Sequence, residues 1–205
     1  MKKVICYIDG FNLYHAISAL NTPGLKWLDL KALSESLLGE DECLEAVNYF
    51  SAFAKWKPGP FKHHREYVKA LLLTGVNPIM GKFKTQKEIE CKKCGHSWPH
   101  HEEKQTDVNI ALQVMMDAHE DLFDRALIIS ADSDLIPVVK KLKEKFPEKS
   151  VLIVIPPGRE KIARELAQNS AKHTLRKNII KQYLFPEVLK DTDGVIVATC
   201  PEEYL

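Results

Sequence analysis

The sequence predicts a three-layer α/β fold, with a central, mostly parallel sheet, helices on both faces and a small inserted hairpin and metal knuckle. Two observations predict the layers. Short, continuous apolar runs alternate with segments of helical periodicity along almost the whole chain, and parallel strands need a long crossover that a helix usually supplies. A third observation predicts the insert. Residues 76–105, VNPIMGKFKTQKEIECKKCGHSWPHHEEKQ, break the alternation; they are polar, rich in Lys and His, and carry a closely spaced cysteine pair.

The strands are VICYI (4–8), AVNYFSAF (46–53), ALIIS (126–130) and VLIVI (151–155). Each is an apolar run bounded by turn or acidic residues, as expected of strands buried on both faces. The helices are residues 13–20, 28–38, 62–73, 106–119, 133–145 and 161–170. Within 106–119, the stripe Val108, Ala111, Leu112, Met115 and Met116 is at helical spacing and is assigned to the core. Residues 1–184 make the α/β domain, with 76–105 as its insert. The tail 185–205 carries no motif, but its VIVA reads as a short extra strand or a docking segment. There is no internal repeat.

A chain of 205 residues suffices for one domain with a proper core and a small appendage. Its net charge of +1 requires any nucleic-acid partner to meet a local basic surface. The first apolar run meets Asp9 too soon for a signal peptide or a membrane span, so a cytoplasmic location and no membrane partner are expected. Five cysteines, only two of them close together, do not make a secreted disulfide framework. Cys6, Cys43 and Cys200 read as isolated thiols.

In open α/β sheets, ligands bind beyond the carboxyl ends of the strands. Asp9 directly follows VICYI, Asp132 and Asp134 follow ALIIS, and Asp107 opens the helix after the insert. Four aspartates are thus expected on one rim. Ser133 or Asp134 can instead cap the helix at 133. As a set, however, gathered like charges raise one another's pKa values and normally require a divalent cation. Hard oxygen ligands suit Mg2+ or Mn2+, and the chemistry implied is phosphodiester hydrolysis. Asn12, in DGFN, would orient a metal-bound water or a phosphate, or cap its helix.

Three segments carry a family resemblance: YIDGFNLYHAI, KQTDVNIALQVMMDA and ALIISADSDLIPVVKKLKEKF. They resemble, in order, the motifs of the NYN domain, a branch of the PIN-like nucleases, and the resemblance spans roughly residues 3–170. It implies a compact PIN-like sheet and a metal-dependent ribonuclease whose acids are Asp9, Asp107, Asp132 and Asp134. Asn12 matches the polar residue of the first motif, and Ser130 lies on the same rim. The cysteine-bearing insert departs from the minimal pattern.

Cys91 and Cys94 form a C-x2-C pair followed by Gly95. A structural Zn2+ on Cys91, Cys94, His96 and His101 is the preferred reading, with His100 as an alternative to His101; surface thiols with incidental histidines are the bland one. Four protein ligands would close the site to water, so catalysis by this zinc is not expected. Thr106 is the expected cap of the helix that presents Asp107, while Glu102 and Glu103 read as linker or supporting residues.

A phosphodiester substrate needs cations. Lys55, Lys57, Lys82, Lys84, Lys87, Lys104, Arg159 and Lys161 are the candidates, only some of which should touch phosphate. Trp56, Phe61, Phe83 and Trp98 would stack on unpaired bases or be buried. The leading expectation is an endoribonuclease acting on single-stranded or structured RNA; the alternative is a non-catalytic RNA- or protein-binding module of the same fold. Protein partners and oligomeric state stay open. A Toprim-type reading leaves Asp9 and Asp107 unexplained. A dehalogenase-type nucleophile at Asp9 wants a second Asp where Phe11 stands.

Overall fold

The computed structural model describes all residues from Met1 to Leu205 except 86, 87, 92 and 169. The chain runs β1 (Lys2–Asp9), α1 (Gly10–Ser18), α2 (Leu30–Glu35), β2 (Glu42–Ser51), α3 (Pro58–Leu73) and β3 (Asn77–Met80). The hairpin strands β4 (Lys82–Thr85), β5 (Ile89–Glu90), β6 (Ser97–Trp98) and β7 (His101–Lys104) come next. After them come α4 (Thr106–His119), β8 (Arg125–Ile129), α5 (Ile136–Lys145), β9 (Ser150–Ile155), β10 (Ala171–Thr174) and α6 (Lys177–Ile180). A terminal hairpin, β11 (Val188–Lys190) and β12 (Ile196–Thr199), ends the chain.

Six strands form one all-parallel sheet in the order β10-β9-β8-β1-β2-β3. The apolar runs are continuous because both faces are covered. Val4, Cys6 and Ile8 enter one core with α1, α2, α3 and the terminal hairpin. Ile5 and Tyr7 enter the other with α4, α5 and the 163–167 segment. The three-layer α/β class is therefore present.

Several local expectations change. The edge strands β3 and β10 carry little apolar signal, since an edge pairs on one side only and tolerates Pro78. Asn77–Met80 thus belongs to the main sheet, although it lies within the segment read as an insert. Residues 161–168 form successive turns rather than one helix. Their bonds mix spacings of three (Ile162 N to Arg159 O) and four (Ala163 N to Arg159 O), yet Ala163, Leu166 and Ala167 are still buried. The tail is docked: Trp27 Nε1 donates to Pro186 O at 2.8 Å, and Phe185, Ala198 and Cys200 are buried.

The assignment of the α4 stripe is overturned for three residues. Ile110, Val114 and Ala118 pack on the sheet, whereas Val108, Leu112 and Met116 stay 60%, 57% and 56% exposed. Both sets repeat every four residues, so periodicity alone cannot choose between them. The choice is fixed by polar contacts. Buried Asp117 accepts from the Tyr7 hydroxyl at 2.8 Å and from Gln113 Nε2 at 2.8 Å, clamping α4 onto β1. Burial first, and the adjacent Asp117, push the Tyr7 hydroxyl far above its usual pKa, so it remains a donor.

Two glycines permit close backbone approach. A Cβ on Gly10 would lie 2.7 Å from the carbonyl oxygen of Phe50, and one on Gly81 would lie 2.9 Å from that of Lys104. The first lets α1 start hard against β2; the second lets the β4–β7 hairpin close beside α4.

Tyr7→Phe removes a buried donor from Asp117 and is expected to cost about 1–3 kcal/mol. Urea unfolding monitored by circular dichroism checks this, and an unchanged midpoint would count against the clamp.

Candidate active site

The strand order reverses at β1: the chain builds outward to β2 and β3, then resumes at β8 on the other side. Such a switch point opens a crevice at the carboxyl ends of the two central strands. Asp9 ends β1, and Ser130, Ala131 and Asp132 follow β8.

Asp9 is 4% exposed and caps α1, its Oδ1 accepting from Asn12 N at 3.0 Å. Its Oδ2 accepts from the Ser130 hydroxyl at 2.8 Å, and Ser130 Oγ accepts in turn from Asp132 N at 3.0 Å. Asn12 does not cap; its Oδ1 accepts from Ala131 N at 3.1 Å and ties the β1–α1 turn to the end of β8. These bonds leave the Asp9 and Asp132 carboxylates side by side.

α4 brings the third acid. One carboxylate oxygen from each of Asp9, Asp107 and Asp132 lies within 4.8 Å of the other two; among the described residues no other group of three His, Cys, Asp or Glu is so gathered. Asp134 is exposed and outside the trio, with its N–H donating to Asp132 Oδ1 at 3.0 Å. The cap of the short turn Ser133–Leu135 is therefore Asp132, not Ser133 or Asp134. Thr106 does not cap α4 either. Gln105 holds that position with φ +84°, and Glu103 accepts from the Thr106 N–H at 3.1 Å and from the Thr106 hydroxyl. Glu103 thereby seats the turn that presents Asp107.

The trio lines a cavity of about 320 Å3 with Phe11, Asn12, His15, Glu103, Thr106 and Arg159. Among the described residues, Arg159 is its single permanent cation. Burial, opposed by the Asn12 and Ser130 hydrogen bonds and reinforced by Asp132 and Glu103, raises the Asp9 pKa. Burial first, then Asp132, Asp9, Glu103 and Asp134, raise Asp107 to about 6. His15 is held down by burial and by Arg159. The donor set is hard, acidic and short of positive charge, and so fits a divalent cation.

The other candidate residues divide. Arg159 lines the acid cavity and Lys57 a neighbouring cleft; Lys55 and Lys161 are exposed and line neither. In the β4–β7 hairpin Phe83 pairs with Glu103, Lys82 with Lys104 and Lys84 with Glu102, so the three lysines share the face away from Glu103 and the acids. Lys104 is also ion-paired with Glu102 at 2.6 Å. Lys87 lies outside the described residues. Lys26, which lines the neighbouring cleft, has no sequence signal.

At the knuckle, Gly95 takes φ +68° and its N–H donates to Cys91 O at 2.9 Å, while Cys91 N donates to His96 O at 2.8 Å. The Lys93 and Cys94 N–H groups and the Cys94 thiol lower the Cys91 pKa. The four expected ligands are not brought together. His101 stacks on Trp56 at 3.8 Å and its Nδ1 lies 3.2 Å from Thr85 Oγ1, while the His96 ring stacks near Trp98.

The Asp107 shift has a sign that can be checked. Its folded pKa, about 6, exceeds the ordinary 3.8, so the folded state holds this proton longer. Stability of the metal-free protein should fall as pH rises from about 4 to about 6. With solvent screening, Asp107→Asn is expected to recover roughly 1–2 kcal/mol at pH 7, about 3–6 °C in Tm. Thermal melts in EDTA across this range test it; a variant melting below the wild type would refute it.

No described helix is long and apolar enough to cross a membrane. The sequence profile of the NYN domain matches residues 3–177. A curated relative, 6-hydroxy-3-succinoylpyridine 3-monooxygenase HspA of Pseudomonas putida (strain DSM 28022 / S16), is 24% identical over 164 residues, 78% of this chain and 50% of that protein. The chain thus spans half the length of this relative. A crystal structure of a protein of unknown function from Vibrio parahaemolyticus RIMD 2210633 shares the fold with a TM-score of 0.60 at 15% identity, covering 90% of this chain and 96% of that one. With the profile covering most of the sequence, the chain belongs to the NYN domain family.

Proposed function

We propose that the protein is a divalent-metal-dependent nuclease, with RNA as substrate and internal phosphodiester bonds as the point of cleavage. The observation that carries this reading is the convergence of Asp9, Asp107 and Asp132 on a cavity with one permanent cation among the described residues, Arg159. These three carboxylates would hold Mg2+ or Mn2+, which when bound supplies a Lewis acid for the phosphodiester and a water of lowered pKa. Ser130 holds the second oxygen of Asp9 and the turn bearing Asp132, so it positions two ligands at once. Glu103 and Thr106 set the angle at which α4 offers Asp107. Arg159 faces the same cavity and would orient a phosphate. Asp134 adds negative potential from outside the trio.

The family supports nuclease chemistry, and the uncompensated charge favours catalysis over the alternative of a pure binding module, which has no need of such a cluster. The monooxygenase name of the Pseudomonas relative is not carried over, because this chain spans half of that protein. A structural Zn2+ at Cys91 and Cys94 is a smaller part of the proposal. The knuckle turn supports Cys91 and Cys94 as a pair of ligands, half of a tetrahedral site, and the lowered Cys91 pKa suits the first of them; no part in the reaction is assigned to it.

Asp9→Asn and Asp132→Asn should each reduce Mn2+- or Mg2+-dependent cleavage of RNA by at least about 100-fold, and Ser130→Ala should weaken metal affinity by about 10–100-fold. Gel assays on single-stranded and structured RNA, with metal titrations, measure both; a wild type inert with either metal would favour the binding module. Metal analysis should find zinc in the wild type and none in a Cys91→Ser/Cys94→Ser variant, with equal contents ending the zinc assignment.

A further inference from the structure

Next to the acid cavity lies a larger cleft of about 860 Å3, and the two share Phe11, His15 and Glu103. Its size falls within the roughly 300–1,000 Å3 of clefts that bury most of a small-molecule-sized ligand. Its chemistry differs from that of the acid cavity. Phe11, Phe83, Trp56 and His101 all line it, and they form a continuous row. Phe11 meets Phe83 edge-on at 5.5 Å, Phe83 meets Trp56 at 4.5 Å, and Trp56 lies flat on His101 at 3.8 Å with 12° between planes. The row starts at Phe11, which also lines the acid cavity, and ends at His101; its third member, the Trp56 indole, remains 36% exposed. Tyr14, 42% exposed, also lines the cleft, with Lys26 Nζ 5.4 Å from its ring centre; Lys57 adds a second cation.

Aromatic surface left open beside cations suits flat rings joined by phosphates. We propose that this cleft is a nucleobase-stacking subsite, in which an unpaired base next to the phosphate at the acid cavity stacks on the indole face of Trp56 turned away from His101, with Phe83 edge-on beside it, while Lys57 and Lys26 face the adjoining backbone. The placement of that phosphate rests on the nuclease reading. In a duplex each base face is already covered by its neighbours, so the subsite selects single strands. Every base offers a π-face, so stacking of this kind tolerates any sequence.

The test uses the full chain with a short oligouridylate and a matched RNA duplex, read by fluorescence anisotropy and tryptophan quenching in EDTA. Trp56→Ala should weaken oligouridylate binding about 5–100-fold, and Trp56→Phe should stay within about threefold of wild type. The duplex should bind more weakly than the single strand. Oligouridylate binding by Trp56→Ala equal to wild type, equal affinity for duplex and single strand, or no binding by the wild type would each overturn the subsite. Mn2+-dependent cleavage is measured in parallel. Cleavage by the wild type with Trp56-independent binding removes the subsite and leaves the nuclease, whereas Trp56-dependent binding without wild-type cleavage removes the nuclease and leaves the subsite.

Discussion

Everything at the acid cavity depends on the parallel direction of the six strands and on the reversal of their order between β1 and β8. Parallel pairing delivers every carboxyl end to one rim, and the reversal leaves a gap there that no crossover covers. β1 is paired on both sides and buried on both faces, so its last residue has almost no positional freedom. Asp9 is that residue. The Ser130 hydroxyl then couples it to the turn after β8, and the Tyr7–Asp117 bond holds α4 so that Asp107 reaches the same point.

The arrangement is electrostatically costly in the absence of a cation. Burial and repulsion among the acids raise the proton affinity of Asp9 and Asp107, and among the described residues Arg159 is the single permanent positive charge on the cavity wall. A folded protein tolerates such a cluster only because the sheet and helices over-determine its geometry. The same pre-organisation suits the site to a hard divalent ion.

The β4–β7 hairpin connects the acid cavity to the cleft through the alternation of its side chains. One face carries Phe83, Glu103 and His101 toward the site, and the other carries Lys82, Lys84 and Lys104 away from it. Glu103, read from sequence as a supporting residue, both lines the cavity and seats Thr106. The positive charge that faces the cleft comes instead from Lys57 and Lys26, which stand on separate loops.

The layers, the four principal strands and the placement of three acids at strand and helix ends were legible in the sequence, because apolar runs, helical spacing and strand-end position are local properties of the chain. Its weak points were the edge strands, whose one-sided pairing leaves little apolar signal, and α4, where two stripes of equal period compete for the core. It took the packed fold to keep Asp134 out of the trio, to stack His101 on Trp56 rather than join it to the cysteines, and to turn Lys82, Lys84 and Lys104 from the site. These outcomes depend on register and on helix rotation. A shift of one residue in β4 would exchange Phe83 for a lysine on the inner face with no change in composition or periodicity.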